Sequence, residues 1–208
     1  MASQGSGART KGSNFERKTA KSFGGWWNAE FHRTPGSGSL HWSSSNNVAG
    51  DVVTPPEANF PFVIECKDHK DNWTLESVVL NKSDVKNWWA QVVNDAISVN
   101  KVPMLVFKRN RSDIFIMLPY NTTLFTYLEE NTIDCMITYV QFKSLSGEFI
   151  RYKVIVFTQP NLFLFKKNFT RTIYHSNWKS ESLITKDAYK EIDKSDYDHI
   201  VGSLIDKL

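Results

Sequence analysis

Between residues 82 and 100, apolar side chains recur at Val85, Trp88, Trp89, Val92, Val93 and Ala96. That spacing places them on one stripe of an α-helix and is the clearest helical signal in the chain. Around it lie short apolar runs of strand type: "NFPFVIECK" ending at Lys67, "VPMLVFKR" (102–109) and "SDIFIMLPY" (112–120). A tight turn at Asn110–Arg111 joins the last two. Upstream, "SNFERKTAKSFGG" (13–25) predicts a short helix, with Ser13 as its cap and Gly24–Gly25 as its end. "WWNAEFHR" (26–33) predicts a first strand and "DVVTP" a short second one. "DHKDNWTLESVVLN" reads as a connection with a half-turn of helix. The order helix, strands, helix, strands predicts an α/β fold, with a mixed central sheet flanked by helices.

The pattern divides the chain into three expected parts. Residues 1–12 are rich in Gly and Ser and read as a flexible arm. Residues 13–120 carry the core pattern, and residues 121–208 read as an α+β extension packed on it. In the extension, "TTLFTYLEEN" predicts a helix, and "DCMITYVQFK" with "FIRYKVIVFTQ" predicts a hairpin around "SLSGE". The segment from "SESLITKD" onward predicts one or two closing helices. It is acidic, with Glu181, Asp187, Glu191, Asp193, Asp196, Asp198 and Asp206, so this end is expected to turn away from phosphate.

Composition adds limits. At 41% hydrophobic and 23% charged, the 208 residues suit a soluble globular protein. No apolar run approaches the roughly 18 residues of a membrane span, and the N-terminus lacks a signal-peptide core. A cytoplasmic location (the host cytoplasm if the chain is viral) is expected, with no membrane partner. Cys66 and Cys135 sit in apolar runs and read as reduced, buried thiols. The five histidines show no metal-ligand spacing. Net charge is only +3, but residues 1–33 hold Arg9, Lys11, Arg17, Lys18, Lys21 and Arg33 against Glu16 and Glu30. A basic end of this kind is the electrostatic footprint of phosphate binding.

The chemistry concentrates in "FVIECKDHK" (62–70). In a strand, residues two apart share a face, so Glu65 and Lys67 project together, while Phe62, Ile64 and Cys66 project the other way. An ion pair at a strand end is one reading, stabilising by about 0–1 kcal/mol. Asp51 precedes this strand in "AGDVV", Glu16 lies in the first helix, and "HRTPGSG" between them holds Arg33, Gly36, Ser37 and Gly38. Each has a plainer alternative. Ser13 and Glu16 can form a capping box. Asp51 can cap a turn, Arg33 can be a surface ion-pair partner and Ser37 a turn residue. Gln91, on the polar side of the long helix, reads as solvent-exposed. The pairs Trp26–Trp27 and Trp88–Trp89 read as packing.

The ordered stretches "KGSNFERK", "HRTPGSG", "GDVV" and "IECKDHK" resemble the PD-(D/E)XK nuclease superfamily, and within it the archaeal-type Holliday junction resolvases and their viral relatives. The likeness spans about residues 11–110. Gly50 stands where the signature has Pro, and the loop at 39–49 is longer than usual. The resemblance implies a restriction-endonuclease-like core and a metal-dependent endodeoxyribonuclease. Its catalytic residues would be Glu16, Asp51, Glu65 and Lys67. Mg2+, with Mn2+ able to substitute, would be held by Asp51, Glu65, the Cys66 backbone carbonyl and Glu16. DNA would be held by Arg9, Lys11, Arg17, Lys18, Arg33, Gly36, Ser37 and Gly38. The implied partners are branched double-stranded DNA and a second copy of the chain as a two-fold dimer. No nucleotide cofactor is expected. The alternatives are a restriction-type or repair endonuclease or nickase on the same core, and a DNA-binding protein whose catalysis has decayed. The intact acidic set and its lysine argue against the last.

Overall fold

A computed structural model of the chain describes residues 4–35, 49–70, 73–144, 147–175 and 177–185, with side chains from residue 10 onward. The first helix, α1, spans Gln4–Trp27. It therefore starts well before the expected position and continues through Gly24–Gly25. Ser13 lies inside it, so neither the Ser13 cap nor the Ser13–Glu16 capping box forms. The stripe Phe15, Ala20, Phe23 and Trp27 is buried along its whole length, and that burial carries the helix past the glycines. Gly24 is a close-approach residue, because a Cβ there would lie 2.7 Å from the Ala29 carbonyl oxygen. The helix ends at Asn28, whose left-handed φ of 51° lets the Ala29 amide donate back to the Gly24 carbonyl. With Trp26 and Trp27 helical, the expected first strand shrinks to β1, His32–Arg33.

β1 pairs antiparallel with β2, Val52–Val53, setting Arg33 opposite Val52. β3, Phe62–His69, then runs parallel to β4, Val102–Arg109, with Glu65 beside Leu105 and Lys67 beside Phe107. The crossover between them holds α2, Leu75–Val79, and α3, Val85–Ser98. α3 buries the six residues its pattern nominates. β5, Phe115–Pro119, returns antiparallel to β4.

α4, Thr122–Glu130, follows, its start fixed by the Asn121 side chain accepting from the Leu124 amide at 2.9 Å. The expected hairpin forms as β6, Met136–Lys143, and β7, Phe149–Thr158. β7 pairs with β5, so the sheet order is β3-β4-β5-β7-β6 and one sheet crosses the 120/121 junction. Three short helices follow: α5 (Gln159–Leu162), α6 (Lys167–Ile173) and α7 (Lys179–Ser182). Helix was expected from residue 180 onward, yet Leu183–Ile184 forms strand β8 on β7, because the sheet offers free backbone partners there. The remainder of the expected closing helices lies outside the described residues. Both cysteines are free thiols, Cys66 buried and Cys135 partly so.

Candidate active site

Two backbone details put Asp51 against β3. Gly50 sits at φ +76°, and a Cβ on it would lie 2.4 Å from the Ile64 carbonyl oxygen, so this position requires glycine. The Asp51 amide then donates to that same carbonyl at 2.8 Å. The other side is held by Thr34, whose amide donates to the Asp51 carbonyl and whose hydroxyl donates to the Gly50 carbonyl, both at 2.9 Å. The Asp51 carboxylate, 8% exposed, accepts the Cys66 amide at 2.8 Å through Oδ2. It is thereby fixed beside the strand that carries Glu65.

Glu65 and Lys67 share a face of β3, and Lys67 Nζ lies 2.6 Å from Glu65 Oε1. Only 2% of Glu65 is exposed. Burial, followed by the nearby Asp51 charge, pushes its carboxyl up to about 8, and Lys67 opposes that rise without cancelling it. Asp95 on α3 adds a smaller push in the same direction. Lys67 Nζ also donates to Gln91 Oε1 at 3.2 Å. Gln91 is exposed, as expected, and meets Lys67 from that exposed position. It stands at the border of the α3 stripe, three residues after buried Trp88, and that border faces β3. This border position was the available signal. Farther along the strand, the His69 ring stacks on Trp88 with centroids 4.6 Å apart. Partial burial, then the Lys67 charge, lowers the His69 pKa.

Glu16 reaches toward the site from α1. Its Oε2 pairs with Nε of Arg33, and both groups are partly buried. Among the described residues, no group of three or more His, Cys, Asp or Glu side chains is arranged to hold a metal ion. Asp51 and Glu65 stand together, while Glu16 is turned to Arg33.

Of the residues expected on DNA, Lys11 Nζ pairs with Asp68 Oδ1 at 2.9 Å and donates to Asn110 Oδ1 at 2.7 Å. Arg17 donates to Asn14 Oδ1 at 2.9 Å, and Lys18 is exposed. The Arg9 side chain, Gly36, Ser37 and Gly38 lie outside the described residues. None of the described helices is long and apolar enough to cross a membrane.

The mixed sheet and its flanking helices are consistent with a PD-(D/E)XK-like nuclease core, and Asp51, Glu65 and Lys67 stand together on it. Comparison with known families agrees. The model of the family described as "Phage putative PDDEXK endonuclease" matches residues 7–196, and the chain belongs to that family. The chain is also similar to Protein D14 of Escherichia phage T5, 31% identical over 93 residues. The match covers 43% of this chain and 56% of that relative, so the chain spans about half of its length. No solved structure matches the chain.

Proposed function

We propose that this nuclease is a divalent-metal-dependent endodeoxyribonuclease that cuts branched DNA, resolving four-way junctions by paired cuts from a two-fold dimer. The observation that carries the metal-dependent chemistry is the buried Asp51–Glu65 pair with Lys67 on the same face. Two carboxylates forced together in a dry setting, one of them pushed up to about 8, are a donor set that a hard cation relieves. Asp51 and Glu65 would hold it, with the Cys66 carbonyl beside them. Bound there, a divalent cation supplies Lewis-acid activation of water and neutralises charge on the phosphate.

The chain's own groups do the rest. The Cys66 amide holds the Asp51 carboxylate in place. Lys67 presents its ammonium on the Glu65 face, where it can donate to a phosphate oxygen as charge builds. Gln91 steadies that ammonium. Arg33, held by Glu16, would contact the DNA backbone.

The preference for junctions rests on the ordered likeness of "KGSNFERK", "HRTPGSG", "GDVV" and "IECKDHK" to resolvases. The test is cleavage of a synthetic four-way junction against a matched linear duplex, with Mg2+ and with EDTA. Paired symmetric nicks in the junction, dependent on Mg2+, are expected. Equal cutting of the linear duplex would replace the reading with a general endonuclease. Equal cutting in EDTA would remove the metal.

A further inference from the structure

The hairpin of β6 and β7 carries a second concentration of chemistry, well away from Asp51 and Glu65. Its strand register sets Tyr139 opposite Lys153, Gln141 opposite Arg151, and Lys143 opposite Phe149. Directly opposed residues share a face, so all six project together. The other face holds Val140, Phe142, Tyr152 and Val154, which are buried, and Tyr152 contacts the Trp89 ring on α3. The Tyr139 face is therefore the one turned away from α3.

That face combines cations with rings. Arg151 lies 4.4 Å over the Tyr139 ring, Lys143 lies 5.3 Å over Phe149, and Lys153 lies 3.4 Å over Tyr120. Tyr139 remains 40% exposed and Phe149 59% exposed. No cross-strand partner in this stretch is acidic. The neighbouring carboxylates are Glu148, beside Phe149 in the chain, and Glu181, which accepts from the Asn121 side chain and the Thr122 amide. Guarding an edge strand against association needs only a lysine or two. It does not call for two large rings left in water. Rings with cations along one row are the arrangement by which proteins hold an unpaired strand, with bases stacking and phosphates neutralised.

We propose that the Tyr139–Lys143 and Phe149–Lys153 face binds an unpaired DNA strand, the single-stranded tail or gap that a branched substrate carries beside its paired arms. The proposal deepens the nuclease reading above and rests on it. From the Tyr139–Lys153 pair to the Lys143–Phe149 pair the row runs four residues, roughly 13 Å, enough for a few nucleotides at about 3.4 Å per stacked step. The register runs from Glu65 through Leu105, Met117 and Val156 to Met136, so the row begins three residues along β6 from the level of Glu65 and lies on the other face of the sheet, three to four strands from β3. An unpaired strand held there is separate from the strand being cut. The acidic residues that argued against DNA in this part of the chain all lie from Glu181 onward, beyond the hairpin.

The test uses full-length protein carrying Asp51→Asn, so that nothing is cut, and a fluorescent oligothymidine read by anisotropy over a salt series. Lys143→Gln with Lys153→Gln should weaken binding about tenfold or more and flatten the salt slope by about 1.4, the value for two lost phosphate contacts on a single strand. Tyr139→Ala with Phe149→Ala should weaken binding comparably at unchanged salt slope. Placed in the wild-type background, both pairs should cut a fully paired four-way junction, which carries no unpaired strand, in single turnover at rates within about twofold of the parent. Affinity and salt slope unchanged in both folded variants, in a parent that cuts DNA and binds the oligonucleotide, would overturn this inference alone. A parent that neither cuts nor binds any DNA would overturn the nuclease reading and this proposal with it.

Discussion

The Cys66 amide donates to the Asp51 carboxylate across 2.8 Å, tying the acid that immediately precedes β2 to the backbone of β3. Asn at position 51 keeps an oxygen for that amide and loses only the charge. Asp51→Asn is therefore expected to fold normally, to lose cleavage by at least about a thousandfold, and to bind DNA as tightly as the parent or more tightly. Cleavage and anisotropy assays on one preparation check this. Near-normal cutting by a folded Asp51→Asn protein would remove Asp51 from the site.

Lys67 stands between Glu65 and Gln91, at 2.6 and 3.2 Å. If its ammonium serves the reaction, Lys67→Ala lowers the single-turnover rate by about 10²–10³. A merely structural ion pair would show instead as lost stability with the rate preserved. Gln91→Ala removes a support and leaves the donor, so a loss nearer tenfold is expected, with no change in melting temperature. A rate unaffected by Lys67→Ala would make the pair a strand-end ornament.

Glu65 gives a pH prediction. Its folded pKa is raised from 4.5 to about 8, first by burial and then by Asp51. The folded state thus holds a proton that the unfolded state releases. The associated stability is present below about pH 4.5 and is lost as pH rises through about 8, on the order of a few kcal/mol in total. In EDTA, the melting temperature should therefore carry a downward contribution between pH 5 and 8 that Glu65→Gln abolishes. Mg2+ competes with that proton, so its stabilising effect should grow over the same interval. Identical pH profiles for the parent and Glu65→Gln would show that Glu65 is ionised throughout.

Gly50 is required by geometry. Ala at this position needs a positive φ and places its Cβ 2.4 Å from the Ile64 carbonyl oxygen. Gly50→Ala is expected to cost at least about 1–3 kcal/mol and to displace Asp51. Thermal melts and cleavage rates should fall together. A stable, fully active Gly50→Ala protein would show that the loop tolerates another path.

Much of this was legible in the sequence, for reasons specific to each element. The α3 stripe was readable because the helix buries one face against one sheet, and its six nominated residues are the buried ones. Glu65 and Lys67 were readable because strand alternation alone sets their common face. α1 was misjudged because Gly24 signals an end locally, whereas burial of Trp27 decides the outcome. The Glu16–Arg33 pair joins a helix to a strand 17 residues later, and no local pattern encodes that contact. The exposure of Gln91 was legible, but its contact with Lys67 was not, since that contact depends on the strand packed alongside the helix.

The basic residues of α1 separate into two kinds, and that separation can be measured. Lys11 is engaged with Asp68 and Asn110, whereas Lys18 is exposed. Lys11→Glu sets a carboxylate against Asp68, whose side chain is only 7% exposed, so it should destabilise the fold as well as weaken DNA binding. Lys18→Glu should leave the melting temperature unchanged. If Lys18 contacts phosphate, its reversal weakens binding to every DNA shape alike and lowers the salt slope by about 0.9, the value for one duplex phosphate contact. An unchanged slope for Lys18→Glu would move the DNA path off this face of α1. A Lys11→Glu protein as stable as the parent would show that the Asp68 pair contributes nothing, and would leave Lys11 free to serve DNA directly.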